Sequence, residues 1–318
     1  MSTIADRLSA TLRLGAPQHA GALTVFPIFG GEPATKYVSF AQAQAAGVTI
    51  SELPQGASVN DLIVVNPTPT PVLLFEGEEV LGAQQNRTFD VTVLVAAGAK
   101  LQVPVSCVEA GRWDGGRRAE AFDAAPQIAY PALRRSKNTV ARASAAAGHE
   151  ARADQGAVWD EIAAKSRRMG AASPTGAMHD VFESRRAGLD ELTDAIIPHD
   201  GQIGALVAIG EDCKVMDMVS RSDVWAALHR PLVQGYALDA LEAKPAPAPD
   251  PTIAAAFLGA AIGTPVTERA GVGAGVHLDV ANALLAGSGL ALERELLQLS
   301  VFATDTPRTR IRRPSQRR

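Results

Sequence analysis

The chain has 318 residues, 47% of them hydrophobic and 20% charged, with a net charge of -4. That composition excludes a disordered chain, and the slight acidity argues against a nucleic-acid binder, whose phosphate contacts want a basic surface. No run reaches the ~18 apolar residues of a membrane span, and the two cysteines, Cys107 and Cys213, give neither a disulfide framework nor zinc spacing, so a reducing cytoplasm is the expected location.

Ile4, Leu8 and Leu12 fall four apart, as on a short amphipathic helix. LTVFPIF, KYVSF and LIVVN then read as strands separated by Gly, Pro and Asn. The NPTPTP run at 66–71 is extended, because each proline restricts its own φ and its predecessor. Strands are expected at 72–75, at 88–96 with Phe89, Val91, Val93 and Val95 on one face, and at 101–107. Such a meander can bring two polar clusters to one sheet edge.

Residues 117–148 are rich in Ala, Arg and Ser; part of this stretch reads as a mobile loop, with 131–147 weakly helical. Trp159, Ile162 and Met169 mark a helix stopped by Gly170. A second helix opens after Pro174, carries Met178, Val181, Phe182, Leu189, Leu192 and Ile196 inward, and ends before Pro198. Strands at 203–209 and 215–219 flank a turn at Gly210. Ser222 can cap a helix that Pro231 should kink or split. After the KPAPAPDP connector, Asp250-Pro251 opens a helix at 252–262, and strands at 276–280 and 296–302 close the chain.

This order lacks a regular βαβ rhythm. The expected fold is α+β: a mostly antiparallel β-sheet or sandwich built from N- and C-terminal strands, with a helical middle. We expect one domain over 1–306 with its helical insertion at about 118–198, followed by a solvated, disordered basic tail at 307–318.

The chemistry concentrates between Phe75 and Trp113. Glu76 and Glu78 lie two apart, so on an extended chain both carboxylates point the same way; such a pair can bind a divalent cation such as Mg²⁺ or supply an acid. The bland alternative is a solvated turn. Gln84, Gln85, Asn86 and Arg87 follow, four hydrogen-bonding side chains in a row that can clamp a planar or anionic ligand, or simply enter an edge strand. Cys107 reads as a buried structural thiol; as a nucleophile it would need Arg87 or Arg112 nearby. The Cys107–Arg112 spacing is one residue short of a cysteine-phosphatase loop, and Glu109 inside it would repel phosphate. Trp113 offers a stacking face for a base or a plug for the sheet. No dinucleotide fingerprint, Walker loop, GxSxG or HExxH is present.

The segments FEGEEVLGAQQNR and VPVSCVEAGRW, in this order, with GALVAIGEDCKVMDMVSRSDVW and LVQGYALDAL later, resemble the ARG and rhodanese-phosphatase-superfamily-associated protein domain family from about residue 12 to 302. The family is named for genomic association with ADP-ribosylglycohydrolases and rhodanese-like phosphatases. The resemblance implies processing of NAD- or ADP-ribose-linked nucleotides, with no reaction specified. Its motif positions are Glu76, Glu78, Gln85, Asn86, Arg87, Cys107, Glu109, Arg112 and Trp113.

Two readings follow. In one, the chain is an enzyme acting on an ADP-ribose-like or related nucleotide, with Glu76, Glu78 or Glu109 as acid or base. Gln85, Asn86, Arg87, Cys107, Arg112 and Trp113 then line the ligand. In the other, it is a non-catalytic ligand-binding or protein-interaction module whose polar cluster is structural. An accessible cavity lined by both motifs favours the first; a packed, mutually satisfied network favours the second.

Overall fold

The structure is a computed structural model that describes residues 2–54, 56 and 58–304. The expected basic tail at 307–318 lies outside the described residues. The fold is α+β, with an antiparallel sheet built largely from strands near the two ends of the chain. From edge to edge this sheet runs Arg13–Leu14, Leu23–Phe29, Gln202–Ile209, Asp212–Val219, Glu295–Ala303, Leu285–Leu292, Val276–Ala281 and Val266–Ala270, and Gln18–Ala20 also pairs with Leu23–Phe29. Leu206 sits opposite Phe26, so the first third of the chain closes onto the last. Both faces of the central strands are covered, so Leu23–Phe29 and Gln202–Ile209 are buried almost throughout. Leu23, Val25, Val207 and Val215 pack on one side with the helix Ser222–Ala240, and Phe26, Leu206, Met216 and Leu299 on the other with Leu258 of the helix Pro251–Gly263.

Two smaller sheets carry the polar motifs. In one, Val38–Ser39 runs parallel to Val72–Leu74, which pairs antiparallel with Val93–Val95. The other orders Phe122–Ile128, Glu78–Gly82, Arg87–Phe89, Lys100–Cys107, Asp61–Val65 and Thr49–Ser51. The expected strand at 88–96 is therefore two strands in different sheets. Its middle is held elsewhere: the Asp90 carboxylate accepts from Ser106 Oγ at 2.6 Å and lies 3.1 Å from Lys137 Nζ, while Thr92 Oγ1 accepts the Glu76 N–H.

Part of the stretch expected as a mobile loop is the strand Phe122–Ile128, and the weak helix expected at 131–147 forms as Pro131–Ala146. That helix buries Leu133 and Ala141 beside Arg134, Lys137 and Asn138, so its inward face is largely polar and gives no apolar period. The helix Gln155–Met169 ends at Gly170, whose φ of 60° supplies the left-handed stop. The single helix expected after Pro174 is two, Met178–Ser184 and Arg186–Asp194, separated at Arg185. Ser222–Ala240 continues through Pro231, where the burial of Trp225, Leu228, Leu232 and Tyr236 outweighs the missing donor. Near the amino terminus only a 3-10 turn, Ala5–Arg7, forms. Among the described residues no helix is long and apolar enough to cross a membrane.

Candidate functional site

Glu76 and Gly77 form a turn, not an extended strand. The Glu78 N–H donates to the Phe75 carbonyl at 3.0 Å, and Gly77 takes a φ of 84°. A side chain at Gly77 would also stand 2.8 Å from Arg134 Cδ, so this glycine serves both the turn and the approach of the arginine. The two carboxylates consequently have different partners. Glu76 Oε1 accepts from Arg134 Nε at 3.0 Å inside the core. Glu78 Oε2 accepts the Phe75 N–H at 2.6 Å; burial pushes its carboxyl up to about 8 against that one bond.

The second motif meets QQNR as expected. Gln85 Nε2 donates to the Glu109 carbonyl at 2.8 Å, and the Asn86 N–H donates to Glu109 Oε2 at 3.2 Å. Arg112 donates from Nε to Glu109 Oε2 at 2.8 Å, from Nη1 to the Ala83 carbonyl at 2.7 Å, and from Nη2 to Asn86 Oδ1 at 3.0 Å. Thr175 Oγ1 donates to Glu109 Oε1 at 2.8 Å. Burial alone would raise the Glu109 carboxyl, but these bonds from Arg112, Thr175 and Asn86 hold it below its ordinary value. Glu109 is thus an ionised anchor for Arg112. Gly111 permits the chain crossing here, since its N–H donates to the Thr175 carbonyl at 2.6 Å and a Cβ would meet Thr175 Cα at 3.0 Å.

Arg87 and Cys107 face inward. Arg87 Nη1 donates to the Gln85 carbonyl at 2.9 Å, its Nη2 stands 3.7 Å from Glu52 Oε1, and its guanidinium lies 5.7 Å from the Trp113 ring centre. Trp113 itself is 49% exposed, so it covers Arg87 from the solvent side and does not plug the sheet. Gln155 brackets Cys107, accepting its N–H and donating to its carbonyl, both at 2.8 Å. Burial pushes the Cys107 thiol up to about 11 despite the nearby Arg87.

Both motifs reach one cleft of about 320 Å³, lined by Gly82, Asn86, Arg112, Arg117, Glu120 and His179 among others. Three larger clefts, of about 600, 590 and 440 Å³, touch none of the nine motif positions. The three alternative acid or base candidates, Glu76, Glu78 and Glu109, differ in partner and setting. Among the described residues no group of three or more His, Cys, Asp or Glu is placed to hold a metal.

Sequence reasoning missed the residues behind this cleft. Glu79, one position past the chosen pair, is 1% exposed, and its Oε2 accepts from Gln127 Nε2 at 2.6 Å. The same Gln127 nitrogen lies 2.9 Å from His179 Nδ1. Gln127 reaches inward because Phe122–Ile128 bulges: Val80 pairs with Ala124 and Glu78 with Ile128, leaving three residues opposite Glu79. Pro126 within FDAAPQI was the available signal, since proline in a strand marks an edge or a bulge. No comparable signal announced Arg134 and Lys137.

The chain matches the ARG and Rhodanese-Phosphatase-superfamily-associated Protein domain over residues 11–302. It belongs to that family. No curated protein and no solved structure matches it. In this ARG and Rhodanese-Phosphatase-superfamily-associated domain the matched span takes in the motif strands, the bulged strand, the helix bearing His179 and the cleft between them.

Proposed function

We propose that this protein binds and processes an ADP-ribose-like or related nucleotide in the cleft that Asn86 and Arg112 share. The observation that carries this reading is the convergence of one residue from each motif on an accessible surface beside a second arginine, Arg117. An arginine whose guanidinium is already oriented by a carboxylate is suited to hold a phosphate without further ordering. The volume lies at the low end of ligand pockets, roughly 300–1,000 Å³, and suits one ribose-phosphate unit with the rest of the ligand outside.

The second reading, a non-catalytic module with a structural polar cluster, is favoured by the commitment of Glu109 to Arg112, Thr175 and Asn86, and of Glu76 to Arg134. A thermal-shift series with ADP-ribose, NAD, mononucleotides and divalent cations tests the cleft as a ligand site, because a ligand of the folded state raises Tm by mass action. A turnover assay on the ligand that shifts Tm then separates an enzyme from a binding module. A shift with ADP-ribose that Arg117→Ala abolishes, together with turnover, supports the first reading. A flat series, or a shift without turnover, supports the second.

A further inference from the structure

We propose that His179 is the neutral hydrogen-bond donor of this cleft, presenting Nε2–H to a ligand oxygen, with Gln127 and Glu79 as the positioning residues that fix its tautomer. This rests on the cleft being the ligand site. Gln127 Nε2 carries two hydrogens and no lone pair for a ring N–H, so its contact at 2.9 Å makes Nδ1 the acceptor. The neutral ring then carries its proton on Nε2. That atom stands 3.7 Å from Glu183, beyond hydrogen-bond reach, and has no hydrogen-bond partner among the described residues. His179 itself lines the cleft beside Asn86 and Arg112.

Glu79 fixes the amide in turn, taking the other hydrogen of Gln127 Nε2 on Oε2 at 2.6 Å. Independently, three buried atoms at this spot lack partners among the described residues: Glu79 Oε1, Thr88 Oγ1 and Gln127 Oε1. Glu79 and Thr88 are register partners, so their side chains share one sheet face, and Gln127 is joined to it by the bulge. Buried polar atoms are normally satisfied, so unfilled hydrogen-bonding capacity grouped behind a cleft points to bound water or a polar ligand group. Burial also lowers the proton affinity of His179, which keeps the ring neutral and a donor only through Nε2.

A ligand oxygen held by Arg112 on one side and His179 on the other receives a cationic and a neutral donor. This pairing suits a phosphoryl, carboxylate or carbonyl oxygen. No proton leaves the ring; His179 stabilises negative charge on the oxygen and does not act as a base.

Nitrogen-15 NMR of the full-length protein, with the ring assigned by loss of its signals in His179→Gln, reads the tautomer directly. The expected result is an unprotonated Nδ1 and a protonated Nε2 near neutral pH, a mixture of tautomers in Gln127→Met, and movement of the Nε2 signal on adding ADP-ribose. His179→Ala should then raise the Kd for ADP-ribose about 10-fold, the scale of one hydrogen bond to a charged group. A protonated Nδ1 in the parent protein overturns the proposal. So does ADP-ribose binding that Arg117→Ala weakens but His179→Ala leaves unchanged, in which case the cleft remains the ligand site. Absence of ADP-ribose binding in the parent protein overturns the cleft as its site and the role of His179 with it, whatever the tautomer.

Discussion

Arg134 grips Asp217 with both ends of its guanidinium, Nη1 to Oδ2 at 2.8 Å and Nη2 to Oδ1 at 2.6 Å, where neither side chain is exposed. Glu76, Ser300 and Tyr236 complete the cluster, with Tyr236 donating to Asp217 Oδ2 at 2.7 Å. One arginine thus ties the turn of the first motif to a central strand of the large sheet. Burial costs such charges several kcal/mol each, and only mutual satisfaction offsets it.

Arg134→Met should destabilise by about 3–5 kcal/mol, since it strands two buried carboxylates. Tyr236→Phe removes one donor and should cost about 1–3 kcal/mol. Urea unfolding measures both, and Tyr236→Phe remains informative if Arg134→Met does not fold. An unchanged midpoint in Tyr236→Phe would refute an energetic role for this bond.

Stability should fall as pH rises above 6.5, and Glu79 should account for much of the fall. Burial pushes the Glu78 and Glu79 carboxyls from 4.5 up to about 8, so the folded state binds more protons across that window. Their stabilisation is complete below 4.5 and is lost as pH climbs through 8. Buried His229 and His277, lowered from 6.5 to about 4, act oppositely and add stability as pH rises through 4 to 6.5. Above 6.5 the glutamates act without that opposition. Differential scanning fluorimetry should show Glu79→Gln losing less Tm than the parent between pH 6.5 and 8; parallel curves would remove Glu79 as the titrating group.

Glu109→Gln should act through Arg112 and not through proton transfer. The variant keeps a hydrogen-bonding side chain but loses the ionised anchor, so ADP-ribose affinity should drop about 10-fold with an unfolding loss of about 1 kcal/mol. Calorimetric titration and urea unfolding report the two effects. An unaltered Kd would separate Glu109 from ligand binding.

Cys107 should resist thiol reagents. Its thiol is buried, pushed up to about 11, and donates to the Val59 carbonyl at 3.4 Å. Labelling followed by mass spectrometry should modify it only at the rate of unfolding. Fast labelling in native buffer would overturn this assignment.

Parts of the site were legible because their logic is local. The convergence of Asn86 and Arg112 follows from two polar runs bracketing antiparallel strands, and Gly170 and Asp250 mark helix ends by side-chain and backbone preferences alone. Of the two readings left open for Glu76 and Glu78, Gly77 decides for the turn, but that turn is buried and not solvated. Gln127 depended on a bulge, and the helix carrying Arg134 read as only weakly helical because its buried face is charged. An apolar period cannot report a polar core.

The sequence by itself determined the α+β class, the apolar strands of the large sheet and the segment where polar side chains gather, since each follows from spacing and residue type. Only the tertiary structure decided which charges are partners. Arg134 lies 58 positions from Glu76 and 83 from Asp217, and Gln127 lies 48 from Glu79 and 52 from His179. Pairings at such separations are chosen by how sheets and helices pack. That packing brings Thr175 to Glu109, commits Glu76 to the core, and puts His179 at the cleft.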